Sequence, residues 1–158
     1  MKSQAGPVLV VEDDPNAVLL LDRALARVGL RHLILVVRDG DEAVEYLSGK
    51  GRFGDREKFP LPCLILLDLK LPRRSGIEVL EWLRAQPGLR EMSVVVMTSS
   101  SEPTDRRRAL ELGVAAYMVK PIGFAELVAM AKEVRSYVDN VCDSPLPDQG
   151  SCQGSVSL

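Results

Sequence analysis

Short apolar runs alternate along the chain with longer segments in which apolar residues recur every three or four positions. The short runs are residues 8–11, 33–37, 63–67, 93–97 and 115–119. Runs of this length are typical of buried strands, and the three-to-four spacing is typical of helices. Their regular alternation predicts an α/β fold, in which helices cover both faces of a doubly wound, five-stranded parallel sheet.

Five helices fill the gaps between these strands. The first is predicted to begin at Asp14, as N-cap, with Pro15 in the first turn, and to stop at Gly29. The second is predicted to start after Gly40. The other three are predicted over residues 76–86, 103–112 and 124–139.

A chain of 158 residues, 46% of them hydrophobic, suits one compact domain. We predict an N-terminal arm over residues 1–7 and the domain over residues 8–141. Within it, residues 51–62 (GRFGDREKFPLP) form a polar segment longer than an ordinary turn, which we interpret as a surface excursion. Residues 142–158 are rich in Ser, Pro, Gly and Gln, a composition that predicts a flexible tail with no output domain.

Charge and hydropathy narrow the possible partners. The net charge is -2, from 20 basic and 22 acidic residues, which indicates neither a nucleic-acid partner nor an acidic tail. The arginines at positions 73, 74 and 106–108 are interpreted as a solvated face or a docking patch for another protein. No segment has the length of a signal peptide core or a membrane span, so we expect a cytoplasmic protein without membrane contact.

The three cysteines lack metal-ligand spacing. Cys63 is predicted to lie in the core, and Cys142 and Cys152 are predicted to be reduced. His32 is the only histidine, and an ordinary residue before the second strand is a simpler interpretation than a phosphodonor.

Polar side chains end four of the five predicted strands. Glu12 and Asp13 follow the first, Asp68 the third, Thr98 the fourth and Lys120 the fifth. In an open parallel sheet, ligands bind beyond the carboxyl ends of the strands. Crowded carboxylates are tolerated when a divalent cation lies among them, and an all-oxygen set favours magnesium. The simpler alternatives are that Asp68 is a turn residue and that Thr98 and Lys120 only end their strands.

In this order, these residues resemble the response-regulator receiver domain of two-component signalling, over roughly residues 8–139. The resemblance implies the flavodoxin-like fold with strand order 2-1-3-4-5. It also implies that Asp68 accepts a phosphoryl group from the phosphohistidine of a histidine kinase. Magnesium would be held by Asp13 and Asp68, by Glu12 through water, and by the backbone carbonyl of Lys70.

The resemblance assigns further roles near the strand ends. Thr98 would be the switch hydroxyl, Tyr117 the switch aromatic, and Lys120 the phosphate-binding lysine. The Lys120–Pro121 peptide bond is expected to be cis. Phosphorylation would alter the face made by the fourth helix, fifth strand and fifth helix.

Two local features qualify the resemblance. Many receiver domains have Asp before the glycine at position 76, and this chain has Ser75 there. Leu71 and the long segment 51–62 resemble stand-alone regulators that serve phytochrome-type histidine kinases.

The fifth predicted helix has a wide apolar surface, which favours a homodimer through that helix. Its apolar positions are Phe124, Leu127, Val128, Met130, Ala131, Val134, Tyr137, Val138 and Val141. Two alternative functions stay open: a phosphorelay intermediate that passes the phosphate on, and a pseudo-receiver that binds partners without phosphorylation. An aspartate-nucleophile phosphatase is disfavoured, because Lys70 occupies the position of its general acid.

Overall fold

The computed structural model describes residues 6–142 and 155–158. The predicted strands are β1 (Val8–Val11), β2 (Ile34–Val37), β3 (Leu64–Leu67), β4 (Val94–Thr98) and β5 (Ala116–Val119). The helices are α1 (Pro15–Arg27), α2 (Gly40–Ser48), α3 (Gly76–Ala85), α4 (Pro103–Glu111) and α5 (Phe124–Val141). The five strands are parallel in the predicted order 2-1-3-4-5.

Both faces of the sheet are covered, which explains why its central strands are continuously apolar. Val8 and Val10 pack under α1 and α5, whereas Leu9 and Val11 pack under α2, α3 and α4. All four residues of β1 are therefore buried. Because no position on such a strand faces water, its polar residues can stand only at its ends.

A sixth strand, β6 (Ser155–Ser157), pairs in parallel with β2 at the edge of the sheet. The Leu158 amide donates to the Val36 carbonyl at 2.9 Å, and Arg52 donates to the Leu158 carbonyl at 2.9 Å. The expected flexible tail is therefore wrong for residues 155–158, because the unpaired edge of β2 offers them a backbone ladder. Residues 143–154 of that tail, and residues 1–5 of the arm, lie outside the described residues.

Residues 51–62 run over the surface as predicted, since most of them are exposed, but the segment is anchored to the core by Phe53. The Phe53 side chain is fully buried, with ring centroids 5.1 Å from Tyr46 and 5.3 Å from Phe59. Arg56 donates to the carbonyls of Tyr46 and Leu47, and so satisfies the end of α2. Burial raises the pKa of Tyr46 to about 12, and its hydroxyl donates to a backbone carbonyl of the same segment.

A disulfide joins Cys63, just before β3, to Cys142, just after α5. Their Cα atoms are 5.4 Å apart although 79 positions separate them along the chain. The prediction that Cys142 is reduced is therefore wrong, and spacing along the chain gave no signal for the pairing. Cys63 lies in the core as predicted, and Cys152 lies outside the described residues.

Most of the apolar surface of α5 packs inside the chain. Ala131, Val134 and Val138 are buried beside α1. The apolar neighbours that are partly buried on the same cluster are Leu127, Val128, Met130, Tyr137 and Val141. The width of the apolar surface is thus explained by packing within the chain, and it no longer requires a partner.

Among the described residues, no helix is both long and apolar enough to cross a bilayer.

Side-chain caps fix where α1 and α3 begin. Asp14 accepts from the Asn16 amide at 2.9 Å, as its prediction as N-cap requires. Ser75 accepts from the Glu78 amide at 3.2 Å, and Glu78 accepts from the Ser75 amide at 2.9 Å. This capping box gives Ser75 its own structural role. The residue that follows, Gly76, passes so close to β3 that a Cβ atom would lie 2.3 Å from the Asp68 carbonyl oxygen.

We predict that Gly76→Ala lowers the free energy of unfolding by about 1–3 kcal/mol, because the added methyl group meets backbone that cannot move cheaply. Denaturant unfolding measures the change. Gly88→Ala is the matched control, since nothing lies within 4 Å of a Cβ atom there, and its effect should stay within about 0.5 kcal/mol. Equal stability of the two variants would contradict the close approach.

Candidate functional site

The carboxyl ends of β1, β3, β4 and β5 bring the predicted polar residues to one edge of the sheet. The backbone ladder continues past the strands, with the Asp68 amide donating to the Val11 carbonyl at 3.1 Å. In the same way, the Lys120 amide donates to the Thr98 carbonyl at 2.7 Å. The directions of these side chains are therefore set by the sheet itself.

Three carboxylates meet at this edge. Glu12, Asp13 and Asp68 each offer an oxygen, and these oxygens all lie within 4.8 Å of one another. Glu12 and Asp68 are buried, whereas Asp13 is exposed. Like charges this close repel, and burial adds a desolvation cost, so a compensating positive charge is required.

Lys120 supplies part of that charge. Its ammonium donates to Glu12 Oε1 and, at 3.1 Å, to Asp68 Oδ2. Burial alone lowers the pKa of Lys120, but hydrogen bonding and attraction from Glu12, followed by Asp68, leave it above its usual value. Burial raises the pKa of Glu12, although Lys120 offsets part of that rise. Three carboxylates face one ammonium, so the charged site carries an excess of two negative charges.

Backbone amides orient the two buried carboxylates. The Lys70 amide donates to Asp68 Oδ1 at 3.2 Å, so one Asp68 oxygen is held by an amide and the other by Lys120. The Asp14 amide donates to Glu12 Oε2 at 3.1 Å. The predicted metal role of the Lys70 carbonyl stays a prediction.

A second set of contacts links the edge of the sheet to α4. Thr98 is fully buried, and its hydroxyl oxygen accepts from the Ser100 amide at 3.2 Å. The Tyr117 hydroxyl donates to the Ser100 carbonyl at 2.9 Å, and the Ser100 hydroxyl donates to Asp105 in α4 at 2.7 Å. The predicted switch residues Thr98 and Tyr117 therefore contact the same residue, Ser100. Sequence reasoning missed Ser100 and Asp105, because a serine among three serines carries no pattern.

The Lys120–Pro121 bond is not cis, which corrects the expectation drawn from the resemblance. Across the described residues, every peptide bond is trans. The trans form is favoured by only about 0.5–1 kcal/mol before proline. The Lys120 side chain reaches both acids with this bond trans, so the contacts seen here do not require the cis isomer.

A small apolar cavity of about 100 Å³ adjoins the acids on the side of α1 and α5. Its lining includes Leu20, Leu21, Met97 and Leu127, together with Glu12, Asp68 and Lys120. Apolar walls on one side lower the local dielectric, so charges at the edge interact more strongly than on an open surface.

The donor set fits a hard divalent cation. Carboxylate oxygens are the ligands that magnesium prefers in proteins, and it is usually bound through few carboxylates with several waters. A dication would cancel the excess of two negative charges, while the exposure of Asp13 leaves the group open to solvent. The site therefore fits the predicted magnesium ion.

Comparison with known proteins identifies the family. The family model described as the response regulator receiver domain matches residues 8–132. The probable methanogenesis regulatory protein FilR2 of Methanothrix harundinacea is 38% identical over 133 residues, which cover 82% of this chain and 81% of FilR2.

Two solved structures share the fold over nearly their whole length. The phosphorylated cyanobacterial phytochrome response regulator RcpA has a TM-score of 0.78 and 31% identity, covering 90% of this chain and 99% of RcpA. The Mn²⁺-bound form of the response regulator Rcp1, a protein of Synechocystis, has a TM-score of 0.76 and 31% identity, with the same coverage. The resemblance inferred from the sequence is thus confirmed, and the chain belongs to the family of response regulator receiver domains.

Proposed function

We propose that this chain is a stand-alone response regulator, which accepts a phosphoryl group onto Asp68 from the phosphohistidine of a histidine kinase. The observation that carries the proposal is the environment of Asp68, a buried carboxylate held by an ammonium and an amide at the solvent-facing edge of the sheet. The similarity to RcpA supports a phytochrome-type kinase as the partner, and such a kinase places the protein in the cytoplasm. The proposal includes no direct role in nucleic-acid binding.

Transfer requires one Asp68 oxygen to attack the phosphorus atom in line with the bond that breaks. The phosphorus–nitrogen bond of the donor is lost, an oxygen–phosphorus bond to Asp68 forms, and the donor histidine leaves as a neutral imidazole after taking a proton. Lys120 stabilises the charge on the transferring oxygens, since its ammonium already touches Asp68 Oδ2. The chain thus acts as phosphoacceptor and is not a classical enzyme.

Glu12, Asp13 and Asp68, with the backbone carbonyl of Lys70, are the residues that would hold magnesium. When bound, the ion supplies positive charge to the oxygens of the transferring group. The chain's own contribution is the crowding of carboxylates, which makes the site poorly balanced without a dication.

Phosphorylation changes the charge of the site and its demand for hydrogen-bond donors. Asp68 exchanges a single negative charge for a phosphoryl group with nearly two, and gains three acceptor oxygens. The donors nearby are Lys120, the Thr98 hydroxyl and the amides of Lys70 and Ser99. If the Thr98 hydroxyl turns toward the phosphate, it gives up the Ser100 amide that it now accepts from.

Loss of that contact would loosen the residue on which Tyr117 and α4 both depend. Ser100 bonds to Tyr117 through its carbonyl and to Asp105 through its hydroxyl. A displaced Ser100 therefore changes the orientation of Tyr117 and the start of α4 together. The altered surface is the face made by α4, β5 and α5, which we propose as the output of the protein.

This face carries apolar side chains that the chain itself leaves exposed. They are Leu110 in α4, Val119 in β5 and Ile122 in the following turn. Ile122 is completely exposed. We propose that these residues, rather than the buried stripe of α5, form a homodimer whose stability depends on phosphorylation.

Asp68→Asn is predicted to abolish labelling by a kinase or by acetyl phosphate, because the amide is isosteric but cannot act as nucleophile. Intact-protein mass spectrometry measures the fraction carrying one phosphoryl group. The matched control is Asp139→Asn, which removes an exposed carboxylate from α5 and should label as the unmodified chain does. Undiminished labelling of Asp68→Asn would place the acceptor elsewhere.

Lys120→Ala is predicted to keep part of the labelling but to lose the increase in dimer that phosphorylation causes. The reason is that the phosphate loses the cation that couples it to β5. Sedimentation velocity before and after phosphorylation measures the dimer fraction, with Lys132→Ala as the control at an exposed lysine. A dimer increase equal to that of the unmodified chain would refute the coupling, and a monomer under all conditions would refute the dimer.

A further inference from the structure

A second cluster of metal-ligating side chains lies at the amino ends of the strands, opposite the carboxyl ends where Asp68 lies. His32 precedes β2, Cys63 precedes β3 and Cys142 follows α5. One ring nitrogen and two sulfurs from these residues lie within 4.8 Å of one another. The three residues are only 7%, 8% and 5% exposed, so this is a buried cluster of nitrogen and sulfur atoms.

We propose that His32, Cys63 and Cys142 bind one zinc ion when the two cysteines are reduced. In the oxidised protein, the same two sulfurs form the disulfide instead. Thiolate and imidazole are the ligands that zinc prefers, whereas magnesium and calcium prefer oxygen. The cluster is therefore chemically distinct from the carboxylates around Asp68, and the proposal is independent of the proposed function.

The geometry is close to that of a zinc site. Bonds of about 2.3 Å to sulfur and about 2.0–2.1 Å to nitrogen place ligand atoms roughly 3.5–3.8 Å apart around a tetrahedral ion. The cluster already holds its ligand atoms within 4.8 Å, and the cysteine Cα atoms are 5.4 Å apart. Rotation of the freed thiols is the main adjustment needed. The fourth ligand would be either the Gly6 carbonyl oxygen, which lies 3.4 Å from Cys63 Sγ, or a water molecule.

Charge balance favours a dication at this position. Both cysteines belong to the apolar cluster under α1 and α5, where a charge without a partner is costly. Two thiolates, one zinc ion and one neutral imidazole form a complex with no net charge, whereas monovalent copper would leave one buried negative charge.

Binding proceeds in two balanced steps. A dithiol reductant first exchanges with the disulfide, so that two protein thiols and one oxidised reductant form. The two thiols then bind the zinc ion and release two protons. The disulfide and the zinc complex both connect the end of α5 to the start of β3, and only the reduced, metal-free protein lacks that connection.

Cobalt is the most discriminating probe, because thiolate ligands give Co²⁺ a charge-transfer absorption that oxygen ligands do not. The full chain, reduced with a phosphine and freed of metal, is titrated with Co²⁺ in a large excess of Mg²⁺ that occupies the carboxylates. We expect one equivalent of the charge-transfer species, displaced by one equivalent of Zn²⁺. The disulfide form should give none.

Variants separate the three ligands. Cys63→Ser and Cys142→Ser should remove the absorption, and His32→Gln should weaken zinc binding about 10-fold or more. Cys152→Ser is the matched control and should bind as the unmodified chain does. Circular dichroism establishes that each variant is folded. If a cysteine variant does not fold, the comparison of reduced with oxidised unmodified protein decides. Absence of the absorption in the reduced chain, or its persistence in Cys142→Ser, would overturn the proposal.

Discussion

The contact of one ammonium with two buried carboxylates organises the functional edge of this protein. Lys120 bonds to Glu12 and Asp68. Together with Asp13, however, the cluster still carries an excess of two negative charges. That imbalance explains why the site fits a dication and why a second charge on Asp68 would disturb it. The ammonium connects the end of β5 with the ends of β1 and β3, so the proposed change of charge at Asp68 would act directly on β5.

The scaffold holds this arrangement through short-range constraints. The close approach of Gly76 to the Asp68 carbonyl and the capping box at Ser75 fix the segment after β3. Strand pairing fixes the positions of Glu12, Thr98 and Lys120 at the ends of their strands. By contrast, Ser100 is held by hydrogen bonds to Thr98, Tyr117 and Asp105, and a rotation of the Thr98 hydroxyl would break the first of them. The candidate site therefore joins a rigidly held Asp68 to a segment that could move, the combination that the proposed switch would need.

The fold and the position of the candidate site were predictable because they depend on local patterns. Apolar runs gave the strands, and polar residues at strand ends gave Glu12, Asp13, Asp68, Thr98 and Lys120, which the structure brings to one edge. The features that local patterns did not reveal are contacts between segments distant along the chain. The bond between Cys63 and Cys142, the pairing of β6 with β2 and the burial of Phe53 depend on tertiary proximity. The apolar width of α5 was visible, but only the structure shows that α1 and the sheet cover it.

The most direct test of the account is the magnesium dependence of acyl phosphate formation, located by peptide mapping after treatment of the full chain with acetyl phosphate. We expect no label in the presence of a chelator, recovery of the label as Mg²⁺ is added, and a single modified residue, Asp68. Labelling that does not respond to the chelator, or that maps to a different residue, would contradict it.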